Sequence, residues 1–194
     1  MPEPAESVLA TRSVTNSDAA GLLFKALAFA SEKHRNQRRK DADASPYINH
    51  PIALANVLAN EAGVNDTDVL CAAILHDTVE DTETSYDELV ATFGLKIADI
   101  VMEVTDDKSL HWTERKEAQV NHAPHISREA KLVKLADKIC NLRDMLACPP
   151  ANWKIERRVA YFHWAARVVE GMRGTNASME TIFDALFSQH EGMT

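Results

Sequence analysis

Apolar residues recur at intervals of three and four along most of this chain, and runs of alternating β-branched residues are missing. That spacing puts apolar side chains on one face of an α-helix, so the pattern predicts an all-α protein of about nine helices. With six glycines and seven prolines in 194 residues, few positions interrupt those helices. The length is within the range of one domain, and no internal repeat divides the chain.

Capping residues and helix breakers set the expected bounds of each helix. The helices are predicted from Ser17 or Asp18 to the basic run after Ala30, over 50–61, over 68–81, over 85–93, over 95–105, over 113–123, from the N-cap Ser127 to Leu146, over 151–170, and from the N-cap Asn176 to about Gln189. Residues 1–16 are polar with two early prolines, so they are expected to be a disordered tail before a single domain over 17–194.

The segment from Asp68 to Asp81 (DVLCAAILHDTVED) is apolar around nearly its whole circumference, which is typical of a helix buried inside a domain. Read as one helix, it places His76, Asp77 and Glu80 in one narrow wedge. Burying ionisable groups without partners costs roughly several kcal/mol each, so partners must exist. An imidazole beside a carboxylate suits a divalent transition metal, and Glu80 and Asp81 can act on a water or a leaving group. The wedge therefore predicts a metal-dependent hydrolytic site.

Three other polar features are candidates for the same site. The basic run 33–40 ends the first helix, where it is either a solvated helix end favoured by the helix dipole or an anion site. His50 lies at a helix N-terminus before Pro51. Asp137 and Asn141, one turn apart in LADKICNL, are either an exposed polar face or part of a site.

Charge and cysteine usage narrow the function classes. A net charge of −8 argues against a nucleic-acid binder. The basic run 33–40 is the one feature that supports a DNA-binding interpretation. No apolar stretch reaches the roughly 20 residues of a membrane span, and no signal peptide is evident. Cys71, Cys140 and Cys148 are an odd number without C-x-x-C spacing, which argues against a disulfide framework. Cys71 and Cys140 are therefore expected in the core. With no signal peptide evident, the protein is expected in the cytoplasm. The oligomeric state stays open.

Taken together, five segments carry a specific resemblance. They are QRRKDADASPYINHP, AAILHDTVEDT, EVTDDKSL, KLVKLADKICNLRDM and YFHWAARVVEGMRGTN. With them the chain resembles, from Leu22 to Phe187, the HD-domain guanosine polyphosphate hydrolases of the RelA/SpoT type. The likeness is strongest to the small, free-standing hydrolases that include the metazoan SpoT homologue.

The resemblance implies a fold, an activity and roles for individual residues. The fold is a helical HD domain around one metal, usually manganese, held by His50, His76, Asp77 and Asp137. The catalytic acidic pair falls on Glu80 and Asp81. The guanosine-binding residues fall on Arg39, Lys40 and Asn141, with Arg157 and Tyr161 as neighbours. The implied reaction removes the 3′-pyrophosphate from ppGpp or pppGpp to give GDP or GTP. A His₂Asp₂ set leaves open coordination positions for water and a phosphate oxygen, as that reaction requires.

Two departures and two alternatives accompany this interpretation. The loop DADAS after Lys40 has no glycine, and His111-Trp112 stands where near relatives are expected to have a lysine. One alternative is an HD-domain phosphatase that acts on another nucleotide, such as NADPH or a deoxynucleotide. The other is an alarmone-binding module without catalysis, which the intact Glu80 and Asp81 argue against.

Overall fold

The computed structural model describes residues 16–193, so the tail predicted over residues 1–16 lies outside the described part except for its last residue. The helices are α1 (Asn16–Lys33), α2 (Asn49–Asn56) with a π-helical turn (Val57–Glu61), α3 (Thr67–Leu75), α4 (Thr78–Asp81), α5 (Tyr86–Phe93), α6 (Leu95–Val104), α7 (Trp112–His122), α8 (Arg128–Ala147), α9 (Ile155–Glu170), α10 (Ala177–Phe187) and a 3₁₀ turn (Ser188–Gly192). Within residues 16–193 the only β-type pairing is one isolated bridge between Arg38 and Pro46. The all-α prediction is confirmed.

Helix α3 is the centre of the molecule. All seven residues from Val69 to Leu75 are buried, and α3 packs against α1, α2, α6 and α8. Its N-terminus is capped by Asp66, whose carboxylate accepts from the backbone N–H of Asp68 at 2.9 Å. Cys71 and Cys140 are buried as expected, and Cys148 is exposed. Because α3 is enclosed on several sides, the residues that follow its C-terminus, His76 and Asp77, lie in the interior.

The prediction of one helix from Asp68 to Asp81 is wrong at its most important point. Helix α3 ends at Leu75, His76 and Asp77 form a turn, and α4 begins at Thr78. The reason is that side chains form hydrogen bonds with the backbone carbonyls at the end of α3. The His76 ring Nδ1 bonds the Ala73 carbonyl at 2.9 Å, and the Thr78 hydroxyl donates to the Leu75 carbonyl at 2.7 Å. The break rotates Asp77 (φ −99°, ψ 0°) out of the helical path.

Other bounds shift by a few residues. The helix predicted over 50–61 changes after Asn56 into a π-helical turn, in which Ala62 N–H bonds the Val57 carbonyl at 2.9 Å, and Gly63 (φ +66°) ends it. The N-cap of α7 is His111 rather than Thr113, because its backbone N–H pairs with Glu114 in a capping box. Helix α9 begins at Ile155 and not at Ala151, since Ala151 N–H bonds the Lys40 carbonyl at 3.0 Å.

Over residues 16–193, no helix is both long enough and apolar enough to cross a bilayer.

Candidate functional site

Three ligand-type side chains converge from separate parts of the chain. His50 lies in the first turn of α2, His76 follows α3, and Asp137 lies in the middle of α8. One ligand atom from each lies within 4.8 Å of the other two. His50 and His76 are 4% and 5% exposed, so the cluster is enclosed by the protein. The geometry is that of a candidate metal site where three helices meet.

The local bonding of His76 fits a metal ligand. A backbone carbonyl only accepts hydrogen bonds, so the Ala73 carbonyl requires the Nδ1 atom of His76 to carry a proton. That bond turns Nε2 toward the cluster. Nε2 is buried and has no hydrogen-bond partner among the described residues, although the Asp77 Oδ2 atom lies 2.9 Å away. A divalent cation would satisfy this nitrogen, so the residues present fit a metal.

Asp77 is next to the cluster but does not belong to this group of three. Its Oδ2 atom accepts a hydrogen bond from the Tyr47 hydroxyl. Burial disfavours the charged form of His76, but the carboxylate of Asp77 outweighs burial and raises the pKa of His76 to about 9. The same pair holds the pKa of Asp77 below its usual range against the effect of burial. The role of Asp77 as a fourth ligand stays a prediction.

Asp137 does not belong to an exposed polar face, so that alternative is wrong. Its Oδ1 atom lies 3.2 Å from His50 Nε2 and accepts from the Asn141 amide at 2.6 Å. Its Oδ2 atom accepts from Lys138 Nζ at 2.9 Å. Burial raises the pKa of Asp137, but Lys138 and His50 together hold it well below its usual range. In this structure Asn141 therefore orients Asp137, which is a different contact from the guanosine contact that the resemblance implies.

The two acidic residues of α4 have different surroundings. Burial raises the pKa of Glu80 to about 7, although its carboxylate accepts from the Asp106 backbone N–H at 3.1 Å. Asp81 is held by two side-chain donors, the amide of Gln37 at 2.8 Å and the ammonium of Lys108. A carboxyl that titrates near neutral pH suits general acid–base work, whereas a carboxylate fixed by two donors suits positioning.

Three adjoining cavities surround the cluster. The metal cavity, of about 240 Å³, is lined by the three ligand-type residues together with Glu80 and Asp81. The outer cavity, of about 710 Å³, shares residues such as Asp81 and His50 with it and opens between α2, α8 and the segment before α9. The third cavity, of about 190 Å³ and called the inner chamber below, lies between α7 and the segment 103–110 and opens to solvent at Asp107, Leu110, Ala118 and His122.

Four of the five predicted substrate-binding residues line these cavities, and the fifth is one contact away. Arg39 and Tyr161 line both the metal cavity and the outer cavity, and Lys40 lines the outer cavity. Asn141 lines the metal and outer cavities besides holding Asp137. The guanidinium of Arg157 lies 4.1 Å from the ring centre of Trp153, an outer-cavity residue.

The residues of the basic run 33–40 have two different roles, one at the helix end and one at the candidate anion site. Lys33 pairs with Glu88 at 2.8 Å and Arg35 pairs with Glu32 at 2.7 Å, so these two are structural. Arg39 pairs with Asp144 and lies over the Tyr47 ring, 5.7 Å from its centre. Only the end of the run faces the site.

Several cavity residues escaped the sequence reasoning. They are Tyr47, Arg115, Gln119, Lys134, Lys138 and Trp164. Lys134 and Lys138 flank Asp137 at spacings of three and one in the quoted segment KLVKLADKICNLRDM, and both are buried. On a helical wheel both lysines lie on the same side as Asp137 and Asn141, opposite the apolar stripe, so periodicity did not indicate that they are buried.

The fold and the site together define a class: a helical protein with a candidate metal site of two histidines and an aspartate beside the break between two helices. Comparison with known families identifies it. The pattern that defines the HD domain matches residues 26–180, and the chain belongs to the HD-domain family.

Relatives within that family are similar over most of their length. The chain is 54% identical over 178 residues to the human protein named guanosine-3′,5′-bis(diphosphate) 3′-pyrophosphohydrolase MESH1, covering 92% of this chain and 98% of that one. It is 53% identical to the protein of the same name from Danio rerio, covering 89% and 96%.

A solved structure is described as a metazoan ortholog of SpoT that hydrolyzes ppGpp and plays a role in starvation responses. It superposes with a TM-score of 0.85 at 47% identity, covering 89% of this chain and 97% of that one. A protein of Listeria monocytogenes is more distant, with a TM-score of 0.61 at 27% identity, covering 75% and 97%. The resemblance to small HD-domain hydrolases that the motifs indicated is confirmed.

Proposed function

We propose that this protein hydrolyses guanosine 3′,5′-bis(diphosphate) to GDP and pyrophosphate, and the 5′-triphosphate analogue to GTP and pyrophosphate. The observation that carries the proposal is the His50, His76 and Asp137 cluster with Glu80 in the same cavity. It occurs in a chain 54% identical to a relative named for this reaction. The proposed site of action is the cytoplasm.

We propose that one divalent cation, manganese, is held by His50, His76 and Asp137 with Asp77 as the fourth ligand. Bound there, it would supply Lewis-acid polarisation of a phosphate oxygen and of the attacking water. The donor set does not single out manganese, because imidazole and carboxylate ligands also accept iron, cobalt and zinc. Lys138 and Asn141 fix the Asp137 carboxylate, and Ala73 fixes the His76 ring.

In the proposed reaction the chain's own residues move protons and position the reacting groups. Glu80 takes a proton from water as the water oxygen bonds to the phosphorus next to the ribose. The bond from that phosphorus to the ribose O3′ breaks, and O3′ gains a proton, so the products are GDP and pyrophosphate. A carboxyl with a pKa of about 7 can both accept and return that proton near neutral pH. Asp81, held by Gln37 and Lys108, orients the water.

The proposed nucleoside position is the outer cavity. Arg39 and Lys40, at the end of the basic run, line it together with Tyr161. An arginine plane can stack on a purine while its charge faces phosphate, and Arg157 on Trp153 extends the same surface. Arg39→Ala should raise KM about ten- to hundredfold with a much smaller change in kcat. An unchanged KM would remove Arg39 from the nucleoside site.

The test is a substrate panel with product identification. Purified protein with Mn²⁺ is incubated with ppGpp, pppGpp, NADPH and deoxynucleoside triphosphates, and the products are resolved by ion-exchange chromatography. The proposal expects pyrophosphate and GDP from ppGpp at the highest kcat/KM of the panel. A higher kcat/KM on NADPH would favour the phosphatase alternative. Tight binding of ppGpp with no turnover would favour the module without catalysis.

A further inference from the structure

The inner chamber adjoins the metal cavity. Asp106, Gln119 and Lys134 line both the inner chamber and the metal cavity. The outer cavity also adjoins the metal cavity, but no described residue lines both the outer cavity and the inner chamber. The three spaces therefore follow one another in the order outer cavity, metal cavity, inner chamber.

Two polar atoms at the inner chamber lack partners within the described chain. Arg115 Nε is buried without a hydrogen-bond partner, and its Nη1 atom is 3.9 Å from Glu80 Oε1, too far for a hydrogen bond. Gln119 Oε1 is also buried and unpaired, while its amide nitrogen donates to Asp106 at 2.5 Å. Because buried polar groups in folded proteins nearly always have partners, the Arg115 Nε–H indicates an acceptor in the chamber, and the Gln119 oxygen, which is itself an acceptor, indicates a water that donates to it.

A buried ammonium adds positive charge to the same space. Lys134 is 8% exposed, and within residues 16–193 its Nζ atom reaches only the Val104 carbonyl at 3.3 Å and Asp106 at 4.0 Å. Burial and the neighbouring Lys138 lower the pKa of Lys134, so the charge on this ammonium is incompletely compensated. An anion in the chamber would favour the charged form of Lys134 and so oppose both the burial and the repulsion by Lys138.

The carboxylates around the chamber are bonded to other donors. Glu103 accepts from the backbone N–H of Ser127 at 2.9 Å, and Asp107 accepts from that of Ser109 at 2.9 Å. Asp106 accepts from the Gln119 amide. Arg115, Lys134 and the exposed His122 are left as the nitrogen donors that can receive a ligand. Of these, Arg115 and Lys134 also lie near the metal cavity, and a guanidinium with a free Nε–H suits phosphate oxygens.

We propose that the inner chamber binds the terminal phosphate of the substrate's 3′-diphosphate through Arg115 and Lys134. The inference rests on the proposed function. With the nucleoside in the outer cavity and the phosphorus under attack beside Glu80, the terminal phosphate projects away from the ribose and toward the inner chamber. A volume of about 190 Å³ accommodates a phosphate group with water, since a water molecule takes about 30 Å³. The chamber thereby selects diphosphate esters over monophosphate esters at the same ribose position.

The experiment compares two substrates that differ in this one phosphate. Guanosine 5′-diphosphate carrying either a 3′-diphosphate or a 3′-monophosphate is given to the Mn²⁺-loaded enzyme and to the Arg115→Ala and Lys134→Met variants. Each variant should lower kcat/KM for the 3′-diphosphate about ten- to hundredfold, the loss expected for a charge-assisted hydrogen bond. The value for the 3′-monophosphate should change less than about threefold.

The matched control is Arg167→Ala. Arg167 on α9 pairs with Glu117 on α7 in an exposed ion pair, so its loss perturbs the docking of α7 without touching the chamber. Both esters should react as in the wild type. Circular dichroism and melting curves establish that each variant is folded.

A measurement on the wild type alone covers the case in which the variants do not fold. Pyrophosphate should inhibit at a concentration at least about tenfold lower than orthophosphate, with free Mn²⁺ held constant, because only pyrophosphate reaches both spaces. Equal losses on the two esters in Arg115→Ala would assign Arg115 to positioning Glu80 and overturn the subsite. Equal inhibition by the two anions would also overturn it. Neither result touches the proposed function, which fails only if the wild type does not cleave the 3′-diphosphate.

Discussion

Glu80 and Asp81 are consecutive carboxylates that their surroundings make chemically different. Glu80 is covered by the α6–α7 segment and receives one backbone N–H, from Asp106. Asp81 receives an amide and an ammonium from two other segments. A pair of neighbouring acids whose environments differ in this way can divide proton transfer and positioning between them.

Replacing the acid–base group should remove turnover and keep the metal. Glu80→Gln preserves the size of the side chain and an oxygen for the Asp106 N–H, so kcat should fall roughly 10²- to 10⁴-fold at unchanged metal content. Steady-state kinetics and elemental analysis on the same sample measure both quantities. Glu83→Gln, on an exposed residue one turn away, is the control. Loss of metal in step with activity would instead make Glu80 a ligand.

The raised pKa of Glu80 has a consequence for the stability of the metal-free protein. Because the pKa rises from 4.5 to about 7 on folding, the folded state holds the proton more tightly than the unfolded state. The free energy of unfolding therefore decreases as pH rises from about 4.5 to about 7. Glu80→Gln removes this loss, so its melting temperature should exceed that of the wild type at pH 8 and match it near pH 4.5. Thermal melts of chelated samples across this range would refute the expectation if the two curves stay parallel.

At the scale of elements, the turn between α3 and α4 creates the site. An unbroken helix would carry His76 and Asp77 on one continuous surface, but the turn points His76 Nε2 to the cluster and Asp77 to Tyr47. The bond that ends α3 and the bond that fixes the His76 ring are the same contact with the Ala73 carbonyl. One hydrogen bond thus serves the fold and the ligand geometry together.

The sequence predicted this level unevenly, for physical reasons. Long periodic segments with strong caps, such as α8 after Ser127 and α10 after Asn176, begin where expected because their caps bond locally. The break at His76 escaped prediction, since apolar periodicity continues through it and the cause is a side-chain bond to the backbone. The three-residue cluster was predicted by family resemblance. The buried Lys138 contact with Asp137 depends on tertiary packing that periodicity does not encode.

The junction between α5 and α6 gives a test of element-level strain. Gly94 ends α5 and precedes α6 with φ +88° and ψ 165°, a conformation essentially restricted to glycine. Gly94→Ala should destabilise the protein by about 1 to 3 kcal/mol without changing KM. Gly21, exposed within α1 with open space around it, is the matched control, and Gly21→Ala should stabilise by about 0.5 to 1 kcal/mol. Urea unfolding of both variants measures the difference, and destabilisation by both would contradict the assignment.

At the scale of the whole molecule, the candidate ligands tie together α2, the end of α3 and α8. These helices also pack on one another directly, so the apolar core does not depend on a metal to form. A bound metal adds to that stability by binding the folded state only, which contributes about 2.7 kcal/mol at a hundredfold excess over Kd. For a chain of this length that corresponds to roughly 5 to 10 °C in Tm.

Chelation should lower Tm by an amount that depends on pH, and the sign follows from His76. In the metal-free protein Asp77 raises the pKa of His76 from 6.5 to about 9, so the His76–Asp77 pair stabilises fully below pH 6.5 and is lost as pH rises through about 9. A metal must displace that proton, and its binding strengthens over the same window. Burial lowers the pKa of His50, so His50 is already neutral in this pH range and its titration does not change metal binding there. The Tm difference between Mn²⁺-loaded and chelated samples should grow by about 3 to 5 °C per pH unit from pH 6.5 to 8.5.

The control is Asp77→Asn, which should remove the dependence of Tm on pH from the chelated samples. A Tm difference that is constant with pH would show that His76 titrates as an ordinary histidine.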